Sequence, residues 1–182
     1  MTDKNKADSF SNYIICFFIY SVVLWAYNMV ATWVMTPAGS YSPTWVLYGP
    51  YAPYAALEIM GVMALFKLFQ RLGKPKEINP TPIFLVVMAV ILISVFEYLG
   101  SFCYELIFKT VPWDYSGRIM NINGRVCCEH IVALTVAELI CVYVAQPFLN
   151  KILNKVPIWV RYIMALLFAT IIVTDIVCTF MK

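Results

Sequence analysis

The sequence predicts an all-α, polytopic helical membrane protein of about five transmembrane helices. Three observations predict it. Of 182 residues, 62% are apolar and only 13% charged, against about 45–50% and roughly 25% in soluble domains. Apolar runs of spanning length recur along the chain, and a helix needs roughly 20 such residues to cross a bilayer core. Aromatic residues make up 16%, a share that suits Trp and Tyr anchors at headgroup level. A soluble fold of this length could not hide so much apolar surface. The expectation is a single membrane domain over residues 1–182, with no appended soluble domain. A net charge of +3 and the lack of any basic run argue against nucleic acid, leaving the lipid bilayer as the first partner.

The first helix is expected at about 12–34. Its apolar stretch outruns the roughly 7–15 residues of a signal-peptide core and no small-residue cleavage site follows, so it reads as retained. The irregular "TPAGSYSPTWVLYGPYAPY" follows at 36–54. Its prolines remove backbone donors and disfavour helix in the preceding residue, which suits an interfacial loop or a short re-entrant turn. Further helices are expected at about 51–70, 82–108, 126–147 and 157–180. Between the third and fourth lies "VPWDYSGRIMNINGR", 111–125, with an aspartate, two arginines, two asparagines and two glycines. A linker needs only to be polar and flexible; this one is more specific than that.

Basic residues orient the chain, because cytoplasmic connectors carry the excess of Lys and Arg. Lys4, Lys6, Lys67, Arg71, Lys74, Lys76, Lys151, Lys155 and Arg161 fall in or beside alternate connectors, nine in all, against Lys109, Arg118 and Arg125 in the others. The N-terminus is expected inside and the C-terminus outside, in a multi-pass protein of the cell membrane. The 111–125 stretch then faces away from the cytoplasm.

Ionisable groups within spanning segments are costly and mark function by default. A rise of about 1.5 Å per residue places Glu97 roughly 22 Å along the third helix, in the outer third of a ~30 Å core. By the same measure Glu58, Glu105, Glu129, His130 and Asp175 are expected near that level, with Glu138 nearer mid-depth. Asp114, Arg118 and Arg125 would cap this layer, making the connector the lid and counter-charge of an outward-facing polar pocket. Arginine's planar fork suits a carboxylate or phosphate. Bland alternatives stand beside this: Arg125 and Glu129 are four apart and suit a pair along one helical turn, and Glu105 can reach interfacial water. No metal site and no cofactor are expected. The six cysteines (16, 103, 127, 128, 141 and 178) show no C-x-x-C spacing and the chain has one histidine.

Four segments together resemble a family: "LYGPYAPY" at 47–54, "FEYLGSFCYELIF" at 96–108, "PWDYS" at 112–116 and "NINGRVC" at 121–127. Their order and approximate spacing are similar to those of the small bacterial membrane proteins known as Putative ABC-transporter type IV, or CmpB-like, over about residues 20–145. The residues carrying the resemblance are Glu97, Tyr98, Gly100, Glu105, Trp113, Asp114, Tyr115, Asn121, Asn123, Gly124 and Arg125. Departures include Ala52 for the family's Cys, Tyr54-Ala55-Ala56 for Ile-Tyr-Gly, Pro112 for a Trp, Asn28 for a Glu, and no Trp-Gly in "VALTVAELI". The resemblance implies a membrane subunit, a permease, of a transport system.

Taken together, the candidate substrate-binding residues are Glu97, Tyr98, Glu105, Trp113, Asp114, Tyr115, Arg118, Asn121, Asn123, Arg125 and Glu129. They would serve a non-enzymatic membrane subunit that binds a small polar or anionic solute. The chain has no G-x-x-x-x-G-K-[ST] phosphate loop, since "GKPKE" after Gly73 lacks the flanking glycine and the Ser/Thr. An ATPase-bearing partner subunit would supply hydrolysis; a homo-oligomer is the other expected assembly. The alternatives are a membrane-embedded enzyme acting on a lipid headgroup or cell-envelope precursor, with Glu97 or Asp114 moving a proton, and a regulatory or assembly partner. No recognisable nucleophile supports the enzyme.

Overall fold

The computed structural model describes residues 3–35, 47–72 and 82–181. The regular structure among them is helical: α1 (Asp3–Met35), α2 (Pro53–Leu72), α3 (Pro82–Phe108), α4 (Cys128–Ile140), a π-helical turn (Cys141–Ala145), α5 (Gln146–Leu153) and α6 (Ile158–Phe180). Extended pairing among the described residues is confined to one isolated bridge, Ile122 with Val126. Parts of the 36–54 stretch, and Lys74 and Lys76, lie outside the described residues.

Proline sets several boundaries. Pro53 and Pro82 open α2 and α3, positions where the missing N–H costs nothing. Pro157, with an extended ψ of 143°, precedes α6. The expected fourth helix is divided. Pro147, in the first turn of α5, cannot donate to the carbonyl four residues back and its ring crowds it. The chain widens into the π turn just before it, a known cause of local helix distortion.

Among the described residues, four stretches are long and apolar enough to cross a membrane: Phe10–Ala31, Val86–Phe108, Cys128–Leu153 and Ile158–Thr179. The expected second span is present as α2, which is not among these four and carries Glu58, Lys67 and Arg71 in its 20 residues. In α6 only 11% of the apolar window is buried within the chain, against 39% in α1. This is the pattern of a multi-pass membrane protein.

The chain forms two compact units: residues 1–27, 45–56 and 141–182 in one, and 28–44 and 57–140 in the other. In the first, Ile15, Tyr20 and Leu24 are buried, as are Tyr51, Ala52, Ala55 and Ala56. Phe18 stacks on Phe168 with ring centroids 4.1 Å apart and tilts against Tyr51 at 5.9 Å. The Tyr20 hydroxyl donates to Gln146 Oε1 at 2.7 Å, just past the π turn. Arg161, buried, donates to Asn12 Oδ1 at 3.0 Å. Asp175 gathers the segment before α2: its carboxylate accepts from the backbone N–H of Tyr48 at 3.0 Å and of Gly49 at 2.8 Å, from the Tyr51 hydroxyl, and from Thr179 Oγ1 at 3.3 Å.

In the second unit α2 meets α3 at Gly61, where an added Cβ would lie 3.5 Å from Leu92 and 3.8 Å from Phe96. Ile59, Val62, Ala89, Ile93 and Leu134 are buried. The connector from α3 to α4 folds on itself. Tyr115 N donates to Gly124 O at 2.7 Å, Arg118 N to Tyr115 O at 2.9 Å, Ile122 N to Val126 O at 2.8 Å and Arg125 N to Ile122 O at 3.0 Å. Asn123 and Gly124 have φ of 52° and 68°, which glycine tolerates and asparagine visits more readily than most residues.

Two predictions concern stability. An alanine Cβ at Gly124 would sit 2.7 Å from Asp114 Oδ1 at φ +68°, so Gly124→Ala should cost about 1–3 kcal/mol and lower the thermal unfolding midpoint in detergent. Asp175→Ala should cost about 1.5–3 kcal/mol through its lost charge-assisted hydrogen bonds, and Tyr51→Phe less. Unchanged midpoints for Gly124→Ala or Asp175→Ala would refute the role assigned to that residue.

Candidate functional site

Helical spacing decides which side chains share a face, because residues four apart stack on one side. On α3 the stripe Glu97–Ser101–Glu105 runs from the interior toward the helix end, with Tyr98 and Phe102 beside it. On α4 the stripe is His130–Leu134–Glu138. On α2 Glu58 sits one turn before Gly61, the point of contact with α3. Glu58 and Glu138 have no exposed surface; Glu97 and His130 are 1% and 2% exposed.

These four groups form the centre of the site. Glu97 Oε2 lies 3.6 Å from His130 Nε2, an ion-pair distance if the imidazole is protonated, though too long for a hydrogen bond. Glu58 lies within charge range of both Glu97 and Glu138, and Glu138 within range of Glu97. Both oxygens of Glu58, both of Glu138 and Oε1 of Glu97 are buried with no hydrogen-bond donor among the described residues. An unpaired carboxylate in such surroundings costs several kcal/mol.

The connector caps it. The Tyr115 ring, 3% exposed, lies over the His130 imidazole with centroids 5.3 Å apart and planes 29° from parallel. Trp113 Nε1 donates to Arg125 O at 2.7 Å. Asp114 Oδ1 accepts from Ser116 N at 2.8 Å. Asn121 donates to Ser116 O at 3.1 Å and Arg118 O at 3.0 Å, and its Oδ1 accepts from Gly124 N at 3.2 Å. Asn123 Nδ2 donates to the Tyr98 hydroxyl at 3.0 Å.

The two arginines close the rim. Arg118 Nη1 pairs with Glu129 Oε2 at 3.2 Å, both about a third or more exposed, a setting in which an ion pair is worth about 0–1 kcal/mol. Arg125 is better enclosed: it pairs with Glu105, donates to Ser101 Oγ at 3.1 Å and lies 5.9 Å and 5.6 Å from the Tyr98 and Phe102 ring centroids. Both guanidiniums are thus engaged by outer carboxylates, and Arg125 by aromatics as well.

The sequence-derived candidates therefore divide in two. Tyr98, Glu105, Trp113, Asp114, Tyr115, Arg118, Asn121, Asn123, Arg125 and Glu129 build the cap and rim, and Glu97 alone belongs to the buried centre. Glu58, His130 and Glu138 complete that centre although the candidate set omitted them. Their readable signal was an ionisable residue inside an apolar run. Asp175 belongs to the other unit, where donors surround it. Among the described residues no group of three or more His, Cys, Asp or Glu is arranged to hold a metal ion, and the cysteines form no disulfide.

No curated protein and no solved structure matches the chain significantly. A family model, Putative ABC-transporter type IV, matches residues 15–180, reaching beyond the segments that carried the resemblance at both ends. With the match covering nearly all of its length, this membrane protein belongs to the Putative ABC-transporter type IV family.

Proposed function

We propose that the chain is a permease-type membrane subunit in the cell membrane, and that it holds a small polar solute in the interior of the α2–α3–α4 unit beneath the 109–127 cap. The observation that carries this reading is the buried group Glu58, Glu97, His130 and Glu138. So apolar a protein has no packing reason to bury three carboxyls with unfilled hydrogen-bonding capacity, and polar groups inside a membrane bundle mark solute pathways. A neutral or cationic solute is favoured over an anionic one, because Arg118 and Arg125 already face Glu129 and Glu105. With no phosphate loop in the sequence, an ATPase-bearing subunit drives any ATP-dependent step. The distribution of basic residues supports a cap facing outward, with α2 crossing as a fifth span.

Two expected outcomes test this. The tagged chain should co-purify with an ATPase-bearing subunit from its native membrane, and Glu97→Gln should abolish complementation of a deletion strain while leaving the protein inserted; full complementation by that variant would overturn the reading. Ile119, 71% exposed on the cap, should as Ile119→Cys add labelling by a membrane-impermeant maleimide in intact cells over the parent chain. Labelling gained only after permeabilisation would place the cap inside.

A further inference from the structure

The geometry points to a specific ligand class for the buried centre: Glu58, Glu97, Glu138 and His130 form a proton-exchange site, so that this membrane subunit takes up and releases protons. The inference rests on the reading of the α2–α3–α4 interior as a working site and names what occupies it.

Charge counting comes first. From α2 the group facing the centre is Glu58; from α3, Glu97; from α4, His130 and Glu138. The connector contributes the Tyr115 ring on His130. Around this core stand the Arg118–Glu129 and Arg125–Glu105 pairs, each internally neutralised, and Cys127, buried beside the start of α4. Three carboxyls therefore face at most one imidazolium. Fully ionised, the centre carries two or three uncompensated negative charges, and like charges at this range cannot all persist without water.

Hydrogen-bond counting comes second and is independent of it. Five of the six carboxyl oxygens are buried with no donor among the described residues: Oε1 and Oε2 of Glu58, Oε1 of Glu97, and Oε1 and Oε2 of Glu138. Structural carboxylates are normally satisfied by donors, as Asp175 is by two backbone amides and two hydroxyls. These five are not, so they await a positive occupant. The absence of a metal-holding arrangement among the described residues leaves the proton as the occupant that needs no coordination shell.

Glu97 and His130 provide the exchange step. When Glu97 Oε2 and His130 Nε2, 3.6 Å apart, close to hydrogen-bond distance, a proton leaves the Glu97 carboxylic acid and binds the imidazole at Nε2, yielding a carboxylate beside an imidazolium; the reverse transfer restores the neutral pair. An imidazole suits this role because a ring nitrogen can both accept and return a proton.

The experiment uses the purified full-length protein in lipid nanodiscs without any partner subunit. Infrared difference spectra are recorded between buffers of about pH 5 and about pH 8, the range over which histidine titrates. The expected result is a carboxylic-acid carbonyl band that gains intensity at the acid end, shifts in D2O and loses intensity in each of Glu58→Gln, Glu97→Gln and Glu138→Gln. His130→Gln should move the pH at which the band develops. A wild-type spectrum lacking a D2O-sensitive carbonyl band overturns the inference without reference to any variant. So does a band unchanged in all three glutamine variants, or one removed at fixed pH by sodium chloride or potassium chloride, which would assign the site to a metal cation. Because no ATPase or solute enters the measurement, loss of the band alongside a retained ATPase partner would remove this inference and leave the transport reading standing; a band with no partner would do the opposite.

Discussion

Charge is expensive where water is excluded, and this chain places several of its few carboxylates where that expense is greatest. It resolves the problem in three different ways. Asp175 is surrounded by donors from its own helix and from the Tyr48–Tyr51 segment, so its charge organises backbone that would otherwise lack a regular partner. Glu105 and Glu129 meet guanidinium groups near the rim. Glu58, Glu97 and Glu138 receive neither treatment and face one histidine. The contrast within a single protein separates carboxylates surrounded by donors or guanidiniums from buried ones whose oxygens lack a donor among the described residues.

The composition of the 111–125 connector follows from what it must cover. A cap over a buried acidic centre has to satisfy its own backbone while presenting apolar surface inward. Turn hydrogen bonds and the Asn121 side chain meet the first demand; Tyr115 stacked on His130 meets the second. Gly124 is required because the chain turns with positive φ where Asp114 leaves no room for a Cβ. The arginines anchor the cap at its edge, with Arg125 spread across Ser101, Glu105 and two aromatic rings of α3. They act as fasteners of the connector, meeting the outer members of the expected acidic layer, Glu105 and Glu129.

Backbone satisfaction is the second constraint, since a bilayer core offers no water to stray N–H and C=O groups. It accounts for the helical character of the chain and for the way irregularities are handled. The turn forced by Pro147 stays helical in the wider π form, and Ala52 N reaches Ser21 O at 2.9 Å before α2 begins. Helix α2, with Glu58, Lys67 and Arg71 in its 20 residues, brings Glu58 into a buried position beside the close approach at Gly61.

Much of the fold was legible in the letters. Apolar runs and prolines placed each expected helix on helical backbone, the fourth divided at its π turn and the third spanning Pro82–Phe108, because apolar patterning and missing amides are local properties. Glu97 and the connector stood out for the same reason. Partner choice was not legible. Arg125 and Glu129, four apart in sequence, suited each other, yet Arg125 pairs with Glu105, 20 residues away, and Arg118 takes Glu129. Glu138 offered no clue to its neighbours, and Asp175 binds a segment 127 residues upstream. The sequence by itself determined the membrane class, the helices and the presence of a specific polar connector, since each follows from residues within a few turns of one another. Only the tertiary structure decided which charges meet, because helix packing sets distances that chain order does not encode.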